Sequence, residues 1–263
     1  MCTMAAHEID YKIHGEELQA VEIELDPQET VIAEAGSFMS MTSGVDMQTV
    51  FGSGNDEQQT VWGKMVGAGK RLLTGESLFM TTYTQTGQGK GTVMFAAPYP
   101  GKIVPLRLSE HGGKVICQKD SFLCAAKGVS VGVELQRKIG AGLFGGEGFI
   151  MQKLEGDGLA FVHAGGYIVE RTLTPGEVLK VDTGCIVAFE ATVQYDIQYI
   201  GSIKTGVFGG EGLFFATLTG PGKVWIQSLP FSRLAGKVFS LMPRQSPDSG
   251  SLLGGLGNVV MGE

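Results

Sequence analysis

A glycine-rich segment that occurs more than once constrains the fold of this chain more than any other feature of its sequence. Residues 143–151 read LFGGEGFIM, and residues 207–215 read VFGGEGLFF. A weaker copy, LLTGESLFM, occupies residues 72–80. Each copy places a tight bend and one glutamate ahead of an apolar run. A chain with such internal repetition is predicted to contain three copies of one structural unit.

A second pattern recurs in step with the first. An apolar strand, a short turn and a further apolar strand are predicted at 18–41, 103–123 and 178–189, because strand-forming runs are separated there by turn residues. Turn-forming glycines also follow the glycine-rich copies, as at 156–158 and 220–222. We therefore predict three tandem β modules and very little helix.

These landmarks set the predicted boundaries of the modules. The first module covers 1–100 and contains a polar insertion, the second covers 101–172, the third covers 173–240, and a glycine-rich tail occupies 241–263. The 41 glycines agree with many short strands and turns, because glycine tolerates the positive φ angles that tight turns require. The predicted fold class is all-β.

The charge of the chain argues against a nucleic-acid partner. It has 20 Lys and Arg against 27 Asp and Glu, which gives a net charge of −7, whereas a protein that binds the phosphate backbone normally presents a basic face. No apolar run approaches the roughly 20 residues of a transmembrane helix, and no secretion signal is recognisable. A cytoplasmic location is expected, and peripheral binding to a membrane is not excluded by the sequence.

Cysteine and histidine spacing predicts neither a metal site nor a catalytic pair. The cysteines at 2, 117, 124 and 185 form no CxxC pattern and are expected to be reduced thiols, although a bridge between Cys117 and Cys124 on one hairpin is the alternative. The four histidines show no metal-ligand or nucleophile–base spacing. His163 is the only histidine that remains a candidate functional residue. It aligns with Gln227 of the next repeat.

The glycine pattern at 140–145 fits the dinucleotide fingerprint G-x-G-x-x-G. That fingerprint requires a strand before it and a helix after it, so that the helix N-terminus faces the pyrophosphate. Here more glycine and a β-type apolar run follow. No cofactor is therefore predicted, and no residue is assigned a catalytic, cofactor-binding or metal-binding role.

The repeated glycine–glutamate pairs are the positions to which we assign a structural role. A carboxylate beside glycine-rich backbone can accept hydrogen bonds from several N–H groups and so stabilise a turn or a junction. The alternative is a ring of acids that binds a cation or a polar ligand between modules. Repetition within one chain favours the structural interpretation. The positions are Gly75, Glu76, Gly146, Glu147, Gly210 and Glu211.

Several longer segments resemble the family of altered inheritance of mitochondria protein 24, a mitochondrial biogenesis family that is widespread in bacteria. They are QKDSFL at 118–123, the glycine-rich stretch at 140–148, EGDGLAFVHAGG at 155–166, VDTGC at 181–185 and residues 208–231. The resemblance implies a bacterial member with a fold similar to the tryptophan RNA-binding attenuation protein. That fold would give three tandem jelly-roll-like modules, each a double-stranded β-helix. The resemblance also implies that three chains assemble into a closed ring. It implies no catalytic residue.

The repeats and the resemblance together favour a non-enzymatic oligomeric scaffold or adaptor for an unidentified client protein. In this hypothesis the outer strand edges of the first and third modules pair between chains, and the chain forms a homotrimeric ring. The alternative is a module that binds a small ligand between adjacent β modules. RNA binding is the less favoured possibility.

Overall fold

Strands account for nearly all regular structure in the computed structural model, which describes residues 5–51, 79–97, 99–137, 149–199 and 214–241. Within these residues there are nineteen strands and one α-helix. The prediction of a predominantly β structure is confirmed for the described residues.

Among the described residues, three short 3₁₀ turns lie between strands, at Leu108–His111, Lys119–Ser121 and Thr183–Cys185. In chain order the elements are β1 Asp10–His14, β2 Ala20–Leu25, β3 Thr30–Glu34, β4 Phe38–Met41, β5 Val45–Phe51, β6 Phe79–Gln85, β7 Gly91–Ala96, β8 Gly101–Arg107, β9 Lys114–Gln118, β10 Phe122–Ala126, β11 Ser130–Arg137, β12 Phe149–Glu155, β13 Leu159–Gly165, β14 Ile168–Leu173, β15 Val178–Asp182, β16 Ile186–Glu190, β17 Gln194–Tyr199, β18 Phe214–Thr219, β19 Gly222–Gln227 and α1 Phe231–Ser240.

The pairing of these strands repeats three times. We group β2–β7, β8–β13 and β14–β19 as the first, second and third strand sets. In every set the first and third strands pair with the sixth strand. The second and fourth strands pair with the fifth. All of these pairs are antiparallel, so short turns suffice to connect neighbouring strands.

An irregularity in the pairing repeats as well. The register between the third and sixth strands shifts between Phe38 and Ser40 in the first set. The same shift lies between Phe122 and Cys124 in the second set and between Ile186 and Ala188 in the third. A β-bulge inserts one unpaired residue and bends its strand. Its recurrence at equivalent places aligns the three sets residue by residue.

Adjacent strand sets are joined by one further type of pair. β3, the second strand of the first set, pairs with β10, the third strand of the second set. β9 pairs with β16 in the same way. The result is two six-stranded sheets, β5-β6-β3-β10-β13-β8 and β11-β12-β9-β16-β19-β14, flanked by the sheets β1-β2-β7-β4 and β15-β18-β17. β4 and β15 therefore lie at sheet edges.

Side-chain burial follows from these positions. β2 alternates between buried and half-buried residues, as expected when one face of a strand packs on the core. β13 is buried at every position because it is paired on both sides and covered on both faces. One hydrophobic cluster draws on all three strand sets, through residues such as Ile32, Phe122 and Trp225.

The sequence analysis does not predict the helix α1. Gly236 and Val238 are weak helix formers, so propensity alone does not indicate a helix there. Most of α1 belongs to a second compact unit that begins at Arg233. Its residues Val238 and Phe239 are exposed. Among the described residues, no helix is long and apolar enough to cross a membrane.

Candidate functional site

The repeated glycine–glutamate positions lie outside the residues that the structure describes, so the role predicted for them stays a prediction. These positions are Gly75, Glu76, Gly146, Glu147, Gly210 and Glu211. The segments that contain them lead into β6, β12 and β18, which are the fifth strands of the three sets. The last residue of each copy pairs with the last residue of a second strand, as Met80 does with Glu34 and Met151 with Gln118. The three copies thus end at equivalent places.

A cavity of about 510 Å³ lies between the first and second strand sets. The sequence analysis kept His163 as a candidate residue but did not identify this cavity, because its walls come from separate parts of the chain. The turn between β3 and β4, the segment after β7, the 3₁₀ turn before β10, β13 and the start of α1 all contribute. The lining residues are Glu34, Ala35, Gly36, Ser37, Ala97, Tyr99, Asp120, Phe122, Leu123, His163 and Phe231.

Strand pairing brings the two acids of this cavity together. Ala33 on β3 faces Cys124 on β10 in an antiparallel pair. The chain leaves β3 at Glu34 on the same side from which it enters β10 after Asp120, because antiparallel neighbours run in opposite directions. Glu34 and Asp120 therefore border one cavity although they lie far apart in the sequence.

The imidazole of His163 forms part of the wall of this cavity. The residue is only 2% exposed, and its Nδ1 has no hydrogen-bond partner among the described residues. Its ring meets the ring of Tyr99 edge to face, with centroids 4.6 Å apart. Burial lowers the pKa of the imidazole to about 4, so the ring is neutral at pH 7. His163 is thus neither an exposed nor a fully satisfied histidine.

The pKa of Tyr99 is affected by the two acids that border the cavity. Burial, and after it the negative charges of Asp120 and Glu34, raise the pKa of its hydroxyl to about 12. The hydroxyl therefore keeps its proton at neutral pH. Both carboxylates therefore act on this hydroxyl.

The third strand set has a different residue in the place of His163. His163 pairs with Ile103 of β8, and Gln227 pairs with Ile168 of β14 in the corresponding position. The Gln227 amide accepts a hydrogen bond from the Gly165 N–H at 2.7 Å and donates one to the Gly184 carbonyl at 2.8 Å. This buried side chain thereby satisfies backbone groups of two different strand sets.

Replacing Gln227 by methionine, which has a similar volume, is expected to lower the free energy of unfolding by about 1–3 kcal/mol. The substitution leaves the Gly165 N–H and the Gly184 carbonyl buried without their partner. Urea denaturation followed by circular dichroism measures the change. Gln198→Met is the matched control, because Gln198 is exposed and its side chain donates a hydrogen bond to the nearby exposed Asp196. An equal loss in both variants would contradict this role for Gln227.

The other histidines have structural partners. His14 lies 2.7 Å from a carboxylate oxygen of Glu22, and His111 lies 2.8 Å from Glu190. His7 accepts a hydrogen bond at Nδ1 from the Thr30 N–H. Among the described residues, no three His, Cys, Asp or Glu side chains are grouped so that they could hold a metal ion.

Cys117 and Cys124 are free thiols. Cys117 and Cys124 are fully buried, and burial raises the pKa of both thiols well above the ordinary value. Thiols of this kind are poor nucleophiles, because the thiolate is the reactive form. The two residues lie on β9 and β10, which belong to different sheets. The single-hairpin arrangement considered for them in the sequence analysis does not occur.

Comparison with known proteins assigns the chain to a family. The sequence profile of the family described as Mitochondrial biogenesis AIM24 matches residues 11–229. The uncharacterized protein M6_Spy0233 of Streptococcus pyogenes serotype M6 is 32% identical over 230 residues, which cover 86% of this chain and 88% of that protein. The crystal structure of protein SPYM3_0169 from Streptococcus pyogenes is similar, with a TM-score of 0.71 and 26% identity, and the match covers 89% of this chain and 100% of that one.

The match extends over the β1–β19 region and is not confined to single motifs. The profile begins within β1 and ends just after β19. Since the profile covers most of the sequence, and the streptococcal relative shares nearly a third of its residues over most of both chains, this protein belongs to the mitochondrial biogenesis AIM24 family.

Proposed function

We propose that this protein is a non-enzymatic scaffold that assembles head to tail with further copies of itself through β4 and β15. One observation carries the proposal. Inside the chain, the second strand of each set pairs with the third strand of the next set. β15 is the second strand of the last set and β4 is the third strand of the first set. Each lacks this partner among the described strands.

Burial supports the same assignment. β10 and β16, the third strands of the inner sets, are buried over all or nearly all of their length. β4 is exposed at every residue, including the apolar side chains of Phe38, Met39 and Met41. β15 is also partly exposed, with Val178 54% accessible. An exposed apolar strand edge offers unpaired N–H and C=O groups to another strand, and a second copy of this chain presents the matching edge.

The internal pairs define the register of the proposed contact. Cys124 faces Ala33, and Ala188 faces Cys117. The repeated bulge aligns Ser40 with Cys124 and Ala188. By this alignment Ser40 of one chain would face Val181 of the next, and Met41 would face Lys180.

The proposed contact is heterologous, because it joins two different surfaces. Such contacts generate either a closed ring or a filament. We propose closure by three chains, in which the strand sets act as the jelly-roll-like modules of a ring similar to that of the tryptophan RNA-binding attenuation protein. Each interface would bury at least about 1,000 Å², as a stable interface requires. The net charge of −7 disfavours RNA as the client of this ring.

A disulfide test follows from the proposed register. The double variant Met41→Cys and Lys180→Cys is expected to form interchain disulfides on mild oxidation, because directly opposed residues have Cβ atoms about 5 Å apart. β4 and β15 lie in different sheets of one chain, so the link must join two chains. On a non-reducing gel, closure by three chains gives a main product of three linked 27.8 kDa chains.

The matched control is Met41→Cys with Val178→Cys. Val178 lies on the same face of β15 and is also exposed, but it is displaced by two residues and sits diagonally, about 7–8 Å away in this register. Equal crosslinking of both pairs would reject the register. Light scattering that shows only monomer at micromolar concentration would reject the assembly itself.

Small-ligand binding between modules is the second candidate function, and the cavity between the first and second strand sets favours it. The cavity holds a buried histidine and a half-buried tyrosine whose pKa values are shifted. Shifted pKa values concentrate at functional sites. A thermal-shift screen with metabolites separates the two candidates, because a scaffold without a ligand site gains no stability from any of them.

A further inference from the structure

We propose that the inner face of β14, formed by Val169, Arg171 and Leu173, is a second contact surface for the next copy of the chain. Arg171 on this face keeps the contact between chains weaker than the contacts between strand sets inside one chain. This inference rests on the proposed head-to-tail assembly, because the partner is again a second copy of the chain. The observations that support it lie outside β4 and β15, the strands of the proposed edge pairing.

Strand pairing defines corresponding positions in the three strand sets. Met94, Phe161 and Trp225 occupy the same position on the sixth strands, because each pairs with the residue that follows the bulge on a third strand. The two neighbours of this position pair with two residues of the first strand in each set. These are Val21 and Ile23 in the first set, Val104 and Leu106 in the second, and Val169 and Arg171 in the third.

Inside the chain, the first strand of one set and the sixth strand of the next set contribute to the same hydrophobic cluster. Ile23 on β2 is buried in one cluster with Phe161 on β13. Leu106 on β8 is buried in another cluster with Trp225 on β19. Successive strand sets are thus joined twice by apolar residues at the same positions, in addition to the pairing of their backbones.

The two ends of the chain each carry one half of this contact. Val169 is 38% exposed, whereas Val21 and Val104 at the corresponding positions are 0% and 8% exposed. At the other end, Met94 is half-buried, whereas its counterpart Phe161 is fully buried. A second copy placed head to tail brings the inner face of β14 and Met94 together, in the arrangement that recurs inside the chain.

Arg171 distinguishes the inner face of β14 from its counterparts. It occupies the position at which the other two sets have the buried residues Ile23 and Leu106. Arg171 pairs with Val224, which is buried in the core of the third set, and directly opposed residues of an antiparallel pair lie on the same face. The Arg171 guanidinium donates a hydrogen bond to the Glu177 carboxylate at 3.2 Å. An ion pair therefore lies where the internal contacts are apolar.

A contact that covers this ion pair is weaker than a contact between apolar side chains. Removing two charges from water costs desolvation energy, which their mutual attraction does not fully repay in most buried pairs. An aliphatic side chain in the same place is stabilised by burial in proportion to its apolar area. Arg171 therefore makes the contact between chains easier to reverse than the contacts inside one chain.

Glu177 has a structural role that does not need Arg171. Its carboxylate accepts hydrogen bonds from the N–H and the hydroxyl of Thr174 at 3.0 and 3.1 Å. In the corresponding turn of the first set, the Glu29 carboxylate accepts a hydrogen bond from the Asp26 N–H at 2.8 Å, and an isoleucine occupies the position of Arg171. The substitution Arg171→Ile therefore copies an arrangement that the fold already contains.

A dilution series of the full-length protein, followed by light scattering, tests the role of this face. We expect Arg171→Ile to lower the concentration at which half of the chains are assembled by at least about tenfold. Val169→Lys places a charge in the contact and is expected to raise that concentration by at least about tenfold. Thr172→Leu is the matched control, because Thr172 is exposed and alternates onto the opposite face of β14. Added apolar surface there is expected to leave assembly unchanged.

The outcomes separate this inference from the proposed scaffold. If the wild-type chain assembles and gives the expected disulfide, unchanged assembly of folded Arg171→Ile and Val169→Lys would overturn the role of β14 alone. Val169→Thr provides the same test with a smaller effect if Val169→Lys does not fold. An equal gain in Thr172→Leu would also overturn that role, because added apolar surface alone would then explain it. A chain that stays monomeric both as wild type and as Arg171→Ile would overturn the inference together with the scaffold.

Discussion

Replacing Trp225 by alanine is expected to lower the free energy of unfolding by about 3–5 kcal/mol. Trp225 is 1% exposed and belongs to the hydrophobic cluster that draws on all three strand sets. The ring of His111 meets it edge to face at 5.3 Å, and the ammonium of Lys223 lies 5.6 Å from its centre. Truncation removes this apolar surface and leaves a cavity that β-sheet backbone cannot easily collapse to fill.

The effect is large compared with the 5–15 kcal/mol by which a typical domain is stable. Chemical denaturation at 25 °C, monitored by circular dichroism, measures it. Trp225→Phe keeps an aromatic ring and is expected to lose clearly less. Tyr167→Ala is the exposed control, since Tyr167 is 67% accessible, and it is expected to change stability by less than about 0.5 kcal/mol. A loss below about 1 kcal/mol for Trp225→Ala would contradict a central role for this cluster.

Acid is expected to destabilise the protein through His163 between pH 6.5 and pH 4. The pKa of His163 is about 4 in the folded chain, below the ordinary value of 6.5. Between these values the unfolded chain binds a proton that the folded chain excludes. Stability is therefore fully present above pH 6.5 and falls as the pH drops towards 4, by up to about 3 kcal/mol.

The variant His163→Gln is expected to flatten this part of the stability profile. Glutamine occupies the equivalent position at Gln227, so the substitution is compatible with the strand arrangement. Thermal unfolding measured at several pH values gives the slope. Some slope is expected to persist, because burial, together with the charge of Lys127, also lowers the pKa of His7. His14→Gln is the control, since His14 is a more exposed histidine paired with Glu22. An unchanged slope in His163→Gln would show that protonation of other groups causes the loss of stability in acid.

Local sequence patterns were sufficient to predict the predominance of strands. Strand-forming runs separated by turns predicted short strands, and most of the described chain has that structure. The glycine-rich copies end at equivalent points of three strand sets, as at Met80 and Met151. Their glycine and glutamate residues lie outside the described chain, so their predicted role awaits a test. The resemblance to the AIM24 family also came from contiguous segments and is confirmed.

The candidate site could not be predicted in this way. Glu34, Asp120 and His163 lie on different strands and turns, and no spacing in the sequence relates them. The single signal available was the mismatch between His163 and Gln227 in otherwise corresponding segments. That mismatch showed that the strand does not require imidazole, but it carried no information about which side chains surround the ring.

The sequence by itself determined the strand content and the family, because both depend on residues close together in the chain. Only the tertiary structure decided which strands pair between sets, and the β3–β10 pair is what places Glu34 beside Asp120. The tertiary structure also decided that β4 and β15 lie at sheet edges among the described strands and that His163 is buried. The physical reason is that long-range β pairing depends on the packing of the whole chain, which local propensity does not specify.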